Sequence, residues 1–143
     1  MQEIILFTQH HIALVIALVI VLILLAIFEY IKSKKSVAHL SPALATQMIN
    51  HQNAVVLDIR TREIYTAGHI VNAISIPMAE LEKNYHKLNT SKTQPIIVIC
   101  GTGAESPIAA SLLTQKGFNI FILANGMRGW KEADMPLIKD IKD

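Results

Sequence analysis

Residues 12–28, IALVIALVIVLILLAIF, contain no charged or polar side chain. As a helix they span roughly 26 Å at 1.5 Å per residue, and the weakly polar IILFTQHH before them extends that to bilayer thickness. A helix apolar on every face has no side to turn toward water, which weighs against a buried core helix in a small soluble domain. A cleaved signal peptide would carry positive charge ahead of the run and a small-residue cleavage site behind it. Here the leading flank holds Glu3 and no Lys or Arg, and the exit reads EYIKSKK. The pattern predicts an uncleaved transmembrane anchor over residues 1–32. Lys32, Lys34 and Lys35 all follow the run, which predicts the C-terminal side in the cytoplasm and the N-terminus outside. Tyr30 suits the headgroup region at the same end. His10 and His11, adjacent at the boundary, read as interfacial residues, and no metal site is expected.

The 143 residues leave room beyond the anchor for one globular domain. A formal net charge of +2 is too small to argue for nucleic acid, and no nucleic-acid partner is expected. The basic pI of about 8.7 reflects the lysines beside the anchor, which suit anionic lipid headgroups. One cysteine excludes an internal disulfide framework. That fits a reducing compartment, although a cysteine-poor domain outside the cell would look the same.

Residues 33–40 read as a short polar linker and 41–140 as the domain. SPALATQMINHQ predicts a helix capped by Ser41 with Pro42 at its first position. AVVLDI, AISIP, PIIVIC and NIFIL are short apolar runs of strand type. Between and after them lie helical stretches: TREIYTAGHI closed by Gly68, MAELEKNYHKL, SPIAASLLTQKGF with Ser106 as cap and Gly117 as stop, and GMRGWKEA. Alternating strands and helices, with strands apolar on both faces, predict an α/β domain with a parallel sheet covered on both sides.

Ligands of an open parallel sheet bind beyond the carboxyl ends of its strands. Cys100, the only cysteine, ends PIIVIC at such a place, and Gly101, Gly103 and a helix start at Ser106 follow it. A loop of that composition can turn backbone N–H groups inward as an anion cradle, and a helix N-terminus lowers a cysteine's pKa. The expected picture is a thiolate in a nest of amides, facing solvent. A small buried cysteine that merely ends a strand fits the same residues.

Two longer stretches carry a resemblance. LDIRTREIYTAGHIVNAISIP is similar to the first signature of the rhodanese family: Asp-x-Arg, then Gly-His-Ile, then Ala-x-x-Ile-Pro. PIIVICGTGAESPIAASLLTQKGFNIFILANGMRGW resembles the second: apolar strand, cysteine, six-residue loop, helix, Gly-Phe, strand, then Gly and Trp. The resemblance covers about residues 37–137, and with the anchor added the chain resembles the family's membrane-anchored bacterial members. It implies a three-layer domain around a parallel sheet of about five strands, and the bacterial inner membrane as location. It also implies a cysteine that takes up a sulfane sulfur as a persulfide and passes it to a thiol or cyanide, with no cofactor. Cys100 would be catalytic, and Gly101, Thr102, Gly103, Ala104, Glu105 and Ser106 would form the substrate-binding loop. Asp58 and Arg60 would brace the loops near the site. His69 would fix a turn, and Phe118 and Trp130 would be core residues. Asn125 stands where the family usually has glycine, and asparagine tolerates the left-handed backbone such a turn needs.

The chain departs from active thiosulfate-cyanide enzymes of the family, which commonly carry arginine after the cysteine or at the loop's end. Here those positions are Gly101 and Glu105. The missing cations remove attraction for the thiosulfate dianion, and a carboxylate near the thiolate disfavours it, so weak thiosulfate use and a near-ordinary thiol pKa are expected, while a Glu105 turned outward to solvent would remove most of that penalty. Two functions follow as expectations. One is a membrane-anchored sulfurtransferase or sulfur carrier, its partners a sulfur donor, a thiol acceptor and the lipid bilayer. The other is a non-catalytic docking module for membrane or cytoplasmic proteins. A phosphatase fits less well, because the loop is short and lacks the arginine that holds a phosphoryl group. A redox role through a resolving cysteine would need a second cysteine in the chain.

Overall fold

Short runs of β-branched and aliphatic residues build the centre of the domain, and amphipathic stretches between them cover it. The computed structural model describes residues 11–34, 37–88, 90 and 92–140. Glu3, His10 and Lys35, named above, lie outside the described residues, as do the side chains of Tyr30, Lys32 and Lys34. The chain divides into two units, residues 1–36 and 37–143.

The first unit is a helix, α1 (Ile12–Lys34), with side chains exposed along its apolar run. Its window Ile12–Glu29 has a mean hydropathy of 3.3, long and apolar enough to cross a membrane.

In the second unit the order is β1 (His39–Leu40), α2 (Pro42–Gln52), β2 (Val55–Asp58), α3 (Arg62–Ala67), β3 (Ile74–Ser75) and α4 (Met78–Asn84). A 3-10 turn (Tyr85–Leu88), β4 (Pro95–Ile99), α5 (Ser106–Gln115), β5 (Asn119–Leu123) and α6 (Gly126–Glu132) complete it. The five strands form one parallel sheet in the order β1-β5-β4-β2-β3. This is the three-layer α/β domain that the resemblance implied. β1 falls inside the stretch read as a linker. Two residues carry no periodic signal of their own, and this edge is held by main-chain bonds from Ile122 to Ala38 and from Ala124 to Leu40.

Alternation along the strands splits the core into two layers. Leu57, Ile96, Val98 and Cys100 face Leu81 of α4 and Ala109, Ala110 and Leu113 of α5. Val56, Ile97 and Ile99 face Met48 of α2 and Met127 and Trp130 of α6. Trp130 is buried and donates its Nε1–H to the Pro136 carbonyl at 3.0 Å, while Phe118 is half-buried against the first layer. Ser41 caps α2, its hydroxyl accepting from the Leu44 amide at 3.3 Å with Pro42 next in line. Gly117 leaves α5 at a φ of +87°, a left-handed exit that glycine adopts without steric cost. Strand order and alternation together put the end of β4, and so Cys100, at the middle of the sheet's carboxyl edge.

Candidate active site

The chain leaves β4 at Ile99 and enters α5 at Ser106, and the six residues between wrap around one sulfur atom. Gly103, at a φ of +94°, turns its amide inward and donates to Cys100 Sγ at 3.0 Å. Burial by itself pushes the Cys100 thiol up. The Ser106 hydroxyl and the amides of Glu105, Ser106 and Gly103 more than offset it, so the pKa lies below the ordinary thiol value. This corrects the expectation of a near-ordinary thiol: loop donors, rather than the Glu105 carboxylate, set the direction.

Ser106 also differs from its sequence reading. The residue preceding α5 is Glu105, which makes no side-chain cap, and Ser106 is the first residue inside the helix. Its hydroxyl is fully buried and completes no hydrogen bond, yet it acts on Cys100 to favour the charged form. We read it as a donor kept for a thiolate, which accepts far better than a thiol.

Cys100 is only 1% exposed, against the expectation of a sulfur facing solvent. The alternation that places it in the first core layer explains this, since its Cβ side is packed by the sheet and α5. It forms the floor of an open cleft of about 950 Å³ whose lining includes the loop positions Gly101, Thr102, Ala104 and Glu105. Gly103 and Ser106, the other loop positions singled out in the sequence, are outside that lining and act on the sulfur itself, Gly103 by its amide hydrogen bond and Ser106 by favouring the charged form. Glu105 itself is exposed at the rim.

A second element fixes the loop from behind. Asn125 takes a left-handed φ of +58° before α6, as its side chain allows. Met127 N–H then donates to the Cys100 carbonyl at 2.9 Å, and Arg128 N–H to the Gly101 carbonyl at 3.0 Å. A Cβ on Gly126 would sit 2.3 Å from the Cys100 carbonyl oxygen, so only glycine permits this contact.

Asp58 and Arg60 form a buried ion pair at the end of β2. Arg60 Nε reaches Asp58 Oδ1 at 2.8 Å, and Arg60 Nη2 also donates to the Gly68 carbonyl at 2.9 Å. Although Arg60 lines the cleft, its guanidinium is taken up by these partners. His69 lies elsewhere: buried, stacked 3.8 Å from the Tyr65 ring, and bridged to Ile138 by paired main-chain bonds. It fixes the turn and does not line the cleft. The wall residues Ile64, Met78, Met127, Arg128 and Lys131 were not singled out in the sequence. They come from three separate helices, so no local motif unites them.

A cysteine with a depressed pKa, set in a loop of donors at the carboxyl end of a central parallel strand, defines a thiol-centred α/β domain. The model of the family "Rhodanese-like domain" matches residues 41–133, and the chain belongs to that family. It is similar to protein YibN of Escherichia coli K12, with 35% identity covering 97% of this chain and 99% of that one. It also resembles "Thiosulfate sulfurtransferase GlpE" of Coxiella burnetii, 31% identical over 68% of this chain and 87% of that protein. Among solved structures, a rhodanese-related protein from Thermoplasma volcanium superposes with a TM-score of 0.66 at 28% identity, covering 72% of this chain and 99% of its own. A thiosulfate sulfurtransferase from Pseudomonas aeruginosa gives a TM-score of 0.67 at 26% identity, covering 80% of this chain and 22% of its own.

Proposed function

We propose that this protein is a membrane-anchored sulfurtransferase or sulfur carrier that holds sulfur as a persulfide on Cys100. The observation that carries the reading is the Cys100 sulfur itself, lowered in pKa by surrounding donors and set at the floor of an open cleft. The likeness to sulfurtransferases of two bacteria supports it. The Cys100 thiolate attacks the sulfane sulfur of a donor, the donor's bond to that sulfur breaks, and the leaving group departs with the electron pair. A thiol acceptor then removes the sulfur and regenerates the thiolate. The loop amides and the Ser106 hydroxyl hold the charged form in both steps.

Thiosulfate is a weak donor in this reading. Gly101 and Glu105 place no cation in the loop, and Arg60 is committed to Asp58. The test is mass spectrometry of the full-length protein after exposure to thiosulfate and to an organic persulfide. A 32 Da gain, the mass of one sulfur atom, on wild type and not on Cys100→Ser is the expected result. No gain from any donor refutes the proposal.

The anchor is α1, placed in the bacterial inner membrane with the N-terminus outside and the domain in the cytoplasm, as the trailing lysines suggest. Protease protection in intact spheroplasts, with loss of protection on lysis, checks the orientation. A docking module for other membrane or cytoplasmic proteins is the second reading, favoured by the 1% exposure of Cys100 and the acidic loop end. It predicts that Cys100→Ser keeps full activity in cells.

A further inference from the structure

The carboxyl edge of the sheet carries the thiol, and the amino edge carries a cluster of a different kind. Phe118, just ahead of β5, and Tyr85, at the start of the 3-10 turn, meet edge to face with ring centroids 6.4 Å apart. Both are half-buried against the first core layer. Lys116 Nζ lies 5.2 Å from the centre of the Tyr85 ring, and Lys92 Nζ 5.5 Å from that of Phe118. Lys92 also donates to the Lys116 carbonyl just past α5, which holds the two exposed cations side by side. Lys87, exposed on the 3-10 turn, adds a third and borders a separate hollow with Arg62 and Glu80. A helix end by itself attracts a lysine, which accounts for Lys116. It does not account for the lack of balancing charge. Residues 35–38, 51–54, 85–94 and 116–118, which lead into β1, β2, β4 and β5, contain no Asp or Glu. Of the acids on neighbouring elements, Glu82 borders a groove with Lys116, and Asp140 stands by His69 ahead of β3. Neither forms an ion pair with Lys87, Lys92 or Lys116 among the described residues.

Resting on the reading of α1 as a membrane anchor, we propose that this edge of the domain lies on anionic phospholipid headgroups, with Lys92, Lys116 and Lys87 as the contacts. Connectivity is the reason for a lipid surface rather than a free anion. β1 pairs in parallel with β5, so the strand that follows α1 starts beside Phe118, and only residues 35–38 separate it from α1. Lysines set around a tyrosine ring also have the composition of a membrane–water boundary, where ammonium groups meet phosphates and the ring sits at headgroup level. Each such lysine favours an anionic surface by about fivefold. That is too little to hold a free domain on sparse membranes, but it is enough to settle a tethered one, for which the surface is always at high effective concentration. Seated this way, the domain turns its other edge outward, about 16 Å off along the five residues of β4, and Cys100 opens away from the lipid.

The test sets the full-length protein in nanodiscs of phosphatidylcholine alone or of an equal mixture with phosphatidylglycerol. A brief reaction with an amine-acetylating reagent, followed by peptide mass spectrometry, gives the acetylation rate at each lysine. Lys131, exposed on α6 at the cleft, is the internal reference. The expected result is a fall of about fivefold at Lys92 and Lys116 relative to Lys131 in the anionic discs. The fall should vanish in about 1 M salt, where the screening length shrinks to roughly 3 Å. Equal rates in the two kinds of disc, an equal fall at Lys131, or a fall that survives the salt overturns the inference and leaves the anchor in place. Inorganic phosphate that produces the same fall in neutral discs overturns it as well, because the ligand is then a free anion. A chain that stays in solution and enters neither disc refutes the anchor and the inference together. The wild-type comparison needs no variant, so a folding defect cannot imitate any of these results.

Discussion

Ser106 ties the loop's shape to the state of the thiol. Its hydroxyl is buried with no other hydrogen-bond partner and acts on Cys100 to lower the thiol's pKa, so the folded protein favours the charged form. Ser106→Ala removes a donor to the thiolate, and the Cys100 pKa should rise. Since thiolate fraction grows as pH climbs through the pKa, the wild type should show its thiolate absorbance band at lower pH than the variant does. A titration followed in the ultraviolet, with Cys100→Ser as blank, reads this without reagent access to the buried sulfur. Gly126 tolerates no side chain: a methyl group there meets the Cys100 carbonyl at 2.3 Å. Gly126→Ala should displace the loop and slow persulfide formation at least tenfold, about 1.4 kcal/mol in barrier. Gly101 is the reverse, with nothing within 4 Å of an added Cβ. Gly101→Arg or Glu105→Arg should therefore fold normally and raise thiosulfate turnover, read as thiocyanate release with cyanide as acceptor. No rise in either variant would show that loop charge does not limit thiosulfate use.

Among the elements, β2 and α3 are joined by the Asp58–Arg60 pair, which also grips the Gly68 carbonyl. Asp58→Ala leaves a guanidinium buried without its counter-ion, a loss of about 3–5 kcal/mol measurable by urea unfolding. Most elements were legible because their signals are local. Ser41-Pro42 marks the start of α2, Gly117 the exit of α5, and apolar runs mark β2, β4 and β5. β1 was not, since its two residues are strand only because β5 pairs with them. The same contrast holds at the site. The sequence picks out Cys100 and its glycine loop, because loop and helix start are contiguous. It does not reveal that alternation along β4 turns Cys100 into the core, nor that α6 carries Arg128 and Lys131 to the cleft, because both follow from packing between distant segments.

At the scale of the whole chain, α1 has little to bury its apolar side chains against within its own unit. The full-length protein should therefore sediment with membranes and require detergent for release. A fragment starting at residue 37 should stay in solution and unfold cooperatively, as its separate core implies. Sedimentation of the fragment with membranes would point to a second lipid-binding surface. The depth of Cys100, 1% exposed beneath a walled opening, has a further result. On the proposed sulfur-transfer function, a sulfur atom held there would be out of reach of bulky cellular reductants, and the protein would work as a reservoir with a slow leak. Its persulfide should outlast a free cysteine persulfide many-fold against a large dithiol protein, yet discharge readily to a slender thiol. Sulfur flow, on that proposal, would be governed by the caller's shape.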